Sequence, residues 1–374
     1  MKIWYIILFL GLFLNVLFPQ NKKSSASSVL NASPIDTLLK IGLNSQLASS
    51  PLFNQNRIYT SEQSGIISCF DNSGKKIWSR NTSSTLHSRP VIADNMLCAA
   101  TSKNEIVTFS LESGDQIQSF GVEDSITTDL TLIQYTGDKE LIMQKSTDSK
   151  SSVIFGTESG KIYCFDLESL QIYWINKDAS GIIKSRLFAL DNRILFTGSD
   201  GFLYSIDARN GLLNWRWKEK AETDFSNSQI ISDGHKVYVV DNEYSLFSID
   251  LLLGNLTWKS TTKVLGAVGI STDKKKLYAK GLDNKFYILS TGKGKALKDI
   301  KHKEFFESNT IAPFEYKKRI LFTNKNSIIS LDEKYKGSNV LTFGSDSINT
   351  FIKIEKNKFL VSNSTGSIII FSIR

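Results

Sequence analysis

The residues of this chain that could do chemistry are few and scattered. Three histidines occur among 374 residues: His87 in "TLHSRP", His235 in "SDGHK" and His302 in "DIKHKE". A catalytic nucleophile needs a base within hydrogen-bond reach and a third group to orient that base. None of the three has such neighbours in sequence, and a lone His in a polar turn reads as solvated. Only loops of distant segments meeting in the fold would pair them. The segment "GKGK" (292–295) offers glycines and lysines of the kind that cradle phosphate. That chemistry requires G-x-x-x-x-G-K-[ST] opening a helix, whereas this segment sits between strand-like runs. Cys69, Cys98 and Cys164 fit no metal-ligand spacing and form no C-x-x-C pair. They read as small strand residues, with a Cys69–Cys164 or Cys69–Cys98 bridge left open by an oxidising compartment.

What remains is a set of aspartates at regular intervals, and these lead from chemistry to architecture. "VIFGTESGKIYCFDLESLQIYW" (153–174) and "ILFTGSDGFLYSIDARNGLLNW" (194–215) are two copies of one phrase. In each, an apolar residue stands 13 positions before an Asp, as Val153 before Asp166 and Ile194 before Asp207. The same offset joins Ile58 to Asp71 and Val237 to Asp250. With Ser in the Asp place it joins Leu97 to Ser110, Leu277 to Ser290 and Phe359 to Ser372. A copy one residue shorter ends at Asp332. Eight units follow, with anchors at 71, 110, 166, 207, 250, 290, 332 and 372. Their spacings are 39, 56, 41, 43, 40, 42 and 40, and the polar stretch 134–152 reads as an insertion in the long gap.

A repeat near 40 residues made of four short β-rich runs is the signature of a propeller blade. No 12-residue stretch beyond the N-terminal segment carries a helical period, and Phe 23, Tyr 12 and Pro 5 favour strands. The anchor Asp is placed to accept hydrogen bonds from the backbone of the following turn. The turn glycines Gly74, Gly114, Gly211 and Gly254 supply positive φ. Trp78, Trp174, Trp215 and Trp258 each end a strand and are expected to bury a flat surface on the neighbouring blade. These roles are architectural. The last unit stops after its third strand, and "IDTLLKIGLNS" (35–45) precedes the first unit with no blade of its own. The expectation is an all-β, eight-bladed propeller of four-stranded antiparallel blades, closed by the N-terminal strand, which removes free edges.

Two features lie outside the repeat. Lys2 precedes "IWYIILFLGLFLNVLF" (3–18), an apolar run between the length of a signal core and that of a membrane span. Residues 1–19 therefore read as a signal peptide or N-terminal anchor, 20–28 as a polar tether and 29–374 as the propeller. The protein is expected to be exported to the periplasm or cell envelope. No Cys follows the apolar run, so no bacterial lipid-attachment site is expected. The second feature is charge. The formal net charge is +8, and residues 258–336 carry essentially all of the excess. Lys274, Lys275, Lys276, Lys293, Lys295, Lys317, Lys318 and Arg319 form a candidate basic binding sector for an acidic protein, anionic headgroups or a cell-wall polyanion. The alternative is an ordinary solvated surface. Nucleic acid is not expected, because the chain is exported and aromatic residues are not interleaved as stacking platforms.

The phrase "hhhTGSDGhLYxIDxxNGxxxW" resembles the repeat of the pyrroloquinoline-quinone-type propellers, whose Trp-docking motif has the form D-x-x-x-G-x-x-x-W. It reads here as Asp207, Gly211, Trp215 and as Asp250, Gly254, Trp258. Asp166 and Trp174 keep the spacing, with Leu170 in the Gly place, and Asp71, Gly74 and Trp78 are one residue tighter. Units two, six, seven and eight lack the Trp. Nearly the whole mature chain is covered by the resemblance. Within these propellers the exported, eight-unit, strand-closed chain is most similar to the BamB family. That resemblance implies a non-catalytic scaffold in outer-membrane β-barrel assembly, binding the insertase complex through loops at one face. The segment "IIKSRLFAL" (182–190) occupies a comparable place between units but lacks that family's partner-binding residues. A quinone-dependent dehydrogenase is the enzymatic alternative. It needs calcium held by carboxylate and amide oxygens and a catalytic Asp, and many such alcohol dehydrogenases join adjacent cysteines. No adjacent Cys pair occurs here, and the repeated Asp residues already have a turn role. The expectation is a monomeric binding propeller with no catalytic residues, cofactor or metal. It would touch membrane only through its N-terminal segment or a partner. The alternative is a generic extracytoplasmic propeller for another protein, a glycan or an anionic surface.

Overall fold

In the computed structural model, the described residues are 35–373 except 87, 136–149, 168, 170, 226–227, 303–305, 307–310 and 364. The leader and tether expected over 1–28, most of the insertion read at 134–152, His87 and Leu170 lie outside the described residues. Among those described, every regular element is a β-strand. The strands form seven antiparallel sheets, six of four strands and one of seven.

Unit four shows the local logic. Phe188–Leu190, Arg193–Thr197, Leu203–Asp207 and Leu213–Trp217 pair in chain order. The two middle strands are buried on both faces along most of their length, which is why they read as continuous apolar runs. The outer strand alternates and is largely exposed. Asn192 at φ 59° and Gly211 at φ 73° turn the chain between strands one and two and between strands three and four. The seven-stranded sheet arises from one long strand, Leu256–Ile270. Its first half pairs with Ser245–Asp250 and its second half with Lys276–Gly281. No loop separates units five and six, so two four-stranded ladders share that strand.

Closure is carried by the chain ends. Ile35–Gly42 pairs antiparallel with Ser367–Ile373, from Ile35 opposite Ile373 to Gly42 opposite Ser367. It supplies the fourth strand of unit eight, as expected from its sequence.

The core is distributed between sheets. Each hydrophobic cluster joins two successive units, for example Ile154 and Cys164 of unit three with Phe196 and Tyr204 of unit four. One cluster unites Leu360 and Ile368 of unit eight with Ile58 and Phe70 of unit one, so the series returns to its start. Sheets packed face to face around a circle bury both surfaces of each middle strand.

Antiparallel order gives the ring two distinct ends. Turns between strands one and two and between strands three and four lie at one end, called here the turn end. Turns between strands two and three and the connections between units lie at the other, the connection end. Strands one and three run toward the turn end. The closing strand therefore begins there, and the chain enters the ring at Ile35 on the turn end.

Candidate functional site

The repeated motif residues hold the units to one another. Asp71 Oδ1 accepts from the backbone N–H of Ser73 and Lys75 at 2.8 and 2.9 Å. Asp166 accepts from Ser169, Asp207 from Arg209, and Asp250 from Leu252 and Leu253. The Arg209 guanidinium, bonded to Asp207 through Nε at 3.0 Å, outweighs burial and holds that carboxyl below the usual range. Each Trp reaches into the turn of the next unit. The indole N–H of Trp78, Trp174, Trp215 and Trp258 donates to the carbonyl of Leu111, Ala208, Leu251 and Thr291, at 3.0–3.1 Å. The ring lies on that next turn's glycine. A Cβ built on Gly114, Gly211, Gly254 or Gly294 would fall 2.4–2.5 Å from the docked indole. Gly74 receives Leu39 of the closing strand instead, whose Cδ1 lies 2.6 Å from a built Cβ.

Three details differ from the sequence reading. The tryptophans stand inside their strands, as Trp174 in Ile172–Asn176, because the strand must extend past the ring to pair with its neighbour. Gly294, read only as part of a Lys-rich turn, is the platform for Trp258. The signal was present, since Ser290 stands four residues before it as Asp207 does before Gly211. Gln118 stands eight residues after Ser110, in the Trp place of unit two. Its amide donates to Leu167 O at 3.0 Å and so reproduces the indole contact.

The candidate basic residues all fall on the turn end. Lys274, Lys275 and Lys276 form the first turn of unit six, Lys293 and Lys295 its second, and Lys317, Lys318 and Arg319 the first turn of unit seven. All are exposed except Lys276, which is half-buried. The two units are tied at this end by Glu315, which accepts from Thr272 N at 2.8 Å and from the Tyr278 hydroxyl. Lys318 pairs with Glu333 at 3.1 Å, an exposed contact of little strength. Lys317 lies 5.2 Å over the Tyr316 ring.

The connection end carries a concave site. A cavity of about 1080 Å³ opens among the between-unit connections and is lined from units one, two, three, four, five, seven and eight. Arg89, Asp129, Glu158, Lys184 and Arg186 supply its charges. Lys184 and Arg186 belong to the between-unit segment 182–190 singled out in the sequence. Arg89 is held below the ordinary guanidinium value by burial and then by the Arg186 cation, with Asp129 opposing. Asp129 is partly engaged by the backbone N–H of Arg89 at 2.7 Å. The buried Ser88 Oγ and Arg89 Nε have no hydrogen-bond partner among the described residues. Clustered donors with incomplete carboxylate compensation suit a polar, acidic surface of a partner.

No catalytic constellation accompanies either end among the described residues. His235 lies in a turn-end loop, whereas His302 directly follows an outer strand at the connection end and stacks on Phe306 at 4.9 Å. Cys69, Cys98 and Cys164 are free and buried in middle strands of units one, two and three, so neither bridge left open by the sequence is formed. Burial pushes the Cys98 and Cys164 thiols up to about 12. No group of three or more His, Cys, Asp or Glu side chains among the described residues could hold a metal ion.

Residues 36–134 and 142–264 match the family described as outer membrane protein assembly factor BamB. The chain belongs to the BamB family. Its relative of that name in Shewanella oneidensis is 22% identical over 240 residues. The match spans 61% of this chain and 57% of the length of that relative. The crystal structure of BamB from Moraxella catarrhalis superposes with a TM-score of 0.70 at 15% identity, covering 91% of this chain and 98% of that one. The computationally designed Ika8 protein (TM-score 0.67, 14% identity) and Sqt1 of Saccharomyces cerevisiae (0.69, 9%) are similar, each over 90% of this chain and 99% of their own. At such identities these structures share the β-propeller fold with the BamB-family chain, and the fold alone.

Proposed function

We propose that this BamB-family protein is a non-catalytic, eight-bladed β-propeller scaffold, exported to the periplasm, that serves outer-membrane β-barrel protein assembly by holding a protein partner. Counting the shared strand once for each ladder gives eight four-stranded blades. The observation that carries the reading is the family match, which runs through the first five units. The connection end is the surface we assign to the partner, because its cavity, lined from seven units, gathers Arg89, Lys184 and Arg186. The partner would be the insertase complex of the outer membrane. The apolar N-terminal run supports export, either as a cleaved signal or as a retained anchor.

The experiment is a gentle affinity purification of the tagged full-length protein from its own cells, with mass spectrometry of what accompanies it. Recovery of an outer-membrane insertase, reduced at least tenfold by Lys184→Glu with Arg186→Glu, is the expected result. A clean preparation from cells rich in insertase would sink the assembly role. The protein would then stand as a generic extracytoplasmic binding propeller.

A further inference from the structure

We propose that the turn end of the ring docks on an anionic lipid bilayer, with the basic side chains of units six and seven on the headgroups and Leu212, Leu252 and Leu253 at the interface. Three independent features meet at this end. The first is charge: Lys274, Lys275, Lys293, Lys295, Lys317, Lys318 and Arg319 are exposed there on consecutive turns. The acidic groups among them are largely engaged. Asp273 accepts from Ser271 and Lys275, Glu315 from Thr272 and Tyr278, and Glu333 meets Lys318.

The second feature is apolar. Leu212, Leu252 and Leu253 are 66%, 65% and 69% exposed, the most exposed large apolar side chains among the described residues. They sit on the strand-three-to-four turns of units four and five, next to the basic units around the ring. Exposed leucines on turn tips beside lysines have the composition of an interfacial surface, where apolar groups enter the headgroup boundary and cations meet anionic lipid. Charge attraction to a soluble polyanion would leave these leucines unexplained.

The third feature is connectivity. The chain enters the ring at Ile35 on this same end, in unit eight, beside unit seven. The apolar run 3–18 is joined to it by residues 19–34, a reach of about 55 Å at full extension. A membrane attachment through that run reaches the ring at its turn end, and docking of that end is carried by its own charged and apolar side chains. The connection end then stays open to a protein partner, so this inference does not depend on who that partner is.

The test uses the full chain with vesicles of phosphatidylglycerol and phosphatidylethanolamine, and with phosphatidylcholine vesicles for comparison. A fluorophore is placed at Leu252→Cys on the turn end or at Lys103→Cys on the connection end. The native cysteines are buried and stay unlabelled in the folded protein. Lipid-borne quencher should dim the label at position 252 on the anionic vesicles and leave the label at 103 bright. High salt should weaken the effect. Each basic side chain near such a surface is worth about fivefold. Replacing Lys275, Lys293 and Lys295 by Glu should therefore lower the affinity for the anionic vesicles by about a hundredfold or more. Equal quenching at both positions, no quenching at 252, or the same quenching on phosphatidylcholine would overturn the proposal. So would capture by an acidic polypeptide or glycan with no response to anionic lipid. The salt series needs no variant and remains decisive where the triple substitution fails to fold.

Discussion

Gly254 bears two constraints at once. Its φ of 71° lies in the left-handed region, and Trp215 of the preceding unit occupies the space a Cβ would fill. Gly254→Ala should therefore destabilise the protein by about 1–3 kcal/mol, read as a fall in urea midpoint. Gly42→Ala is the contrast, with ordinary φ and nothing within 4 Å of the built Cβ, and should be neutral or slightly stabilising. Trp215→Ala removes the other half of the contact. Its buried indole and its hydrogen bond to Leu251 predict a loss of about 3–5 kcal/mol. Asp207 offers a pH signature. The Arg209 hydrogen bonds hold its folded carboxyl below the unfolded value, so its stabilisation is complete above the usual carboxylate range and fades as pH falls through the folded value. The difference in melting temperature between wild type and Asp207→Asn should be present at pH 7 and shrink as the pH falls below the ordinary carboxylate range.

At the scale of the element, middle strands are sealed and outer strands open. Cys69, Cys98 and Cys164 lie in middle strands, at 0%, 0% and 1% exposure. A thiol reagent should modify none of them in the folded protein and all three in denaturant. The raised thiols also mean that folding stability is complete below the unfolded pKa near 8.5 and declines as pH rises toward 12. The closing strand is the other telling element. Ile35 and Ile41 pack into the clusters on the two sides of unit eight. Deleting residues 35–42 would expose the edge of Ser367–Ile373 along its length. Light scattering should then detect aggregation, since an open hydrophobic edge recruits strands from other chains.

The described residues form a ring whose ends differ in shape and charge. The connection end is concave and gathers charges of both signs, with three cations against two carboxylates among the charged lining residues. The turn end presents consecutive cationic turns and three exposed leucines. Partner binding and lipid docking are therefore separable. Changes at Lys184 and Arg186 should reduce recovery of the insertase and spare vesicle quenching at position 252. Changes at Lys275, Lys293 and Lys295 should do the reverse. A protein whose two ends failed to separate in this way would be using one surface for both tasks.

Periodicity determined the units, their four-strand content and the strand that closes them. An apolar residue 13 positions before an Asp can recur only if the same local geometry recurs, and a last unit short of one strand leaves one place for "IDTLLKIG". Composition likewise located the cationic turns. Tertiary structure alone decided which residues meet. Within the sequence, Asp207, Gly211 and Trp215 form one motif, yet Gly211 supports Trp174 of the preceding unit and Trp215 rests on Gly254 of the next. A side chain standing out of a sheet touches the neighbouring sheet, not its own turn, so these contacts run across the repeat. The same cause explains Gln118, whose role appears only against Leu167 of unit three. It also explains the connection-end cavity, because segments about forty residues apart converge only when the ring closes. The common end shared by Lys274, Leu252 and Ile35 follows from strand direction, which a linear sequence does not display.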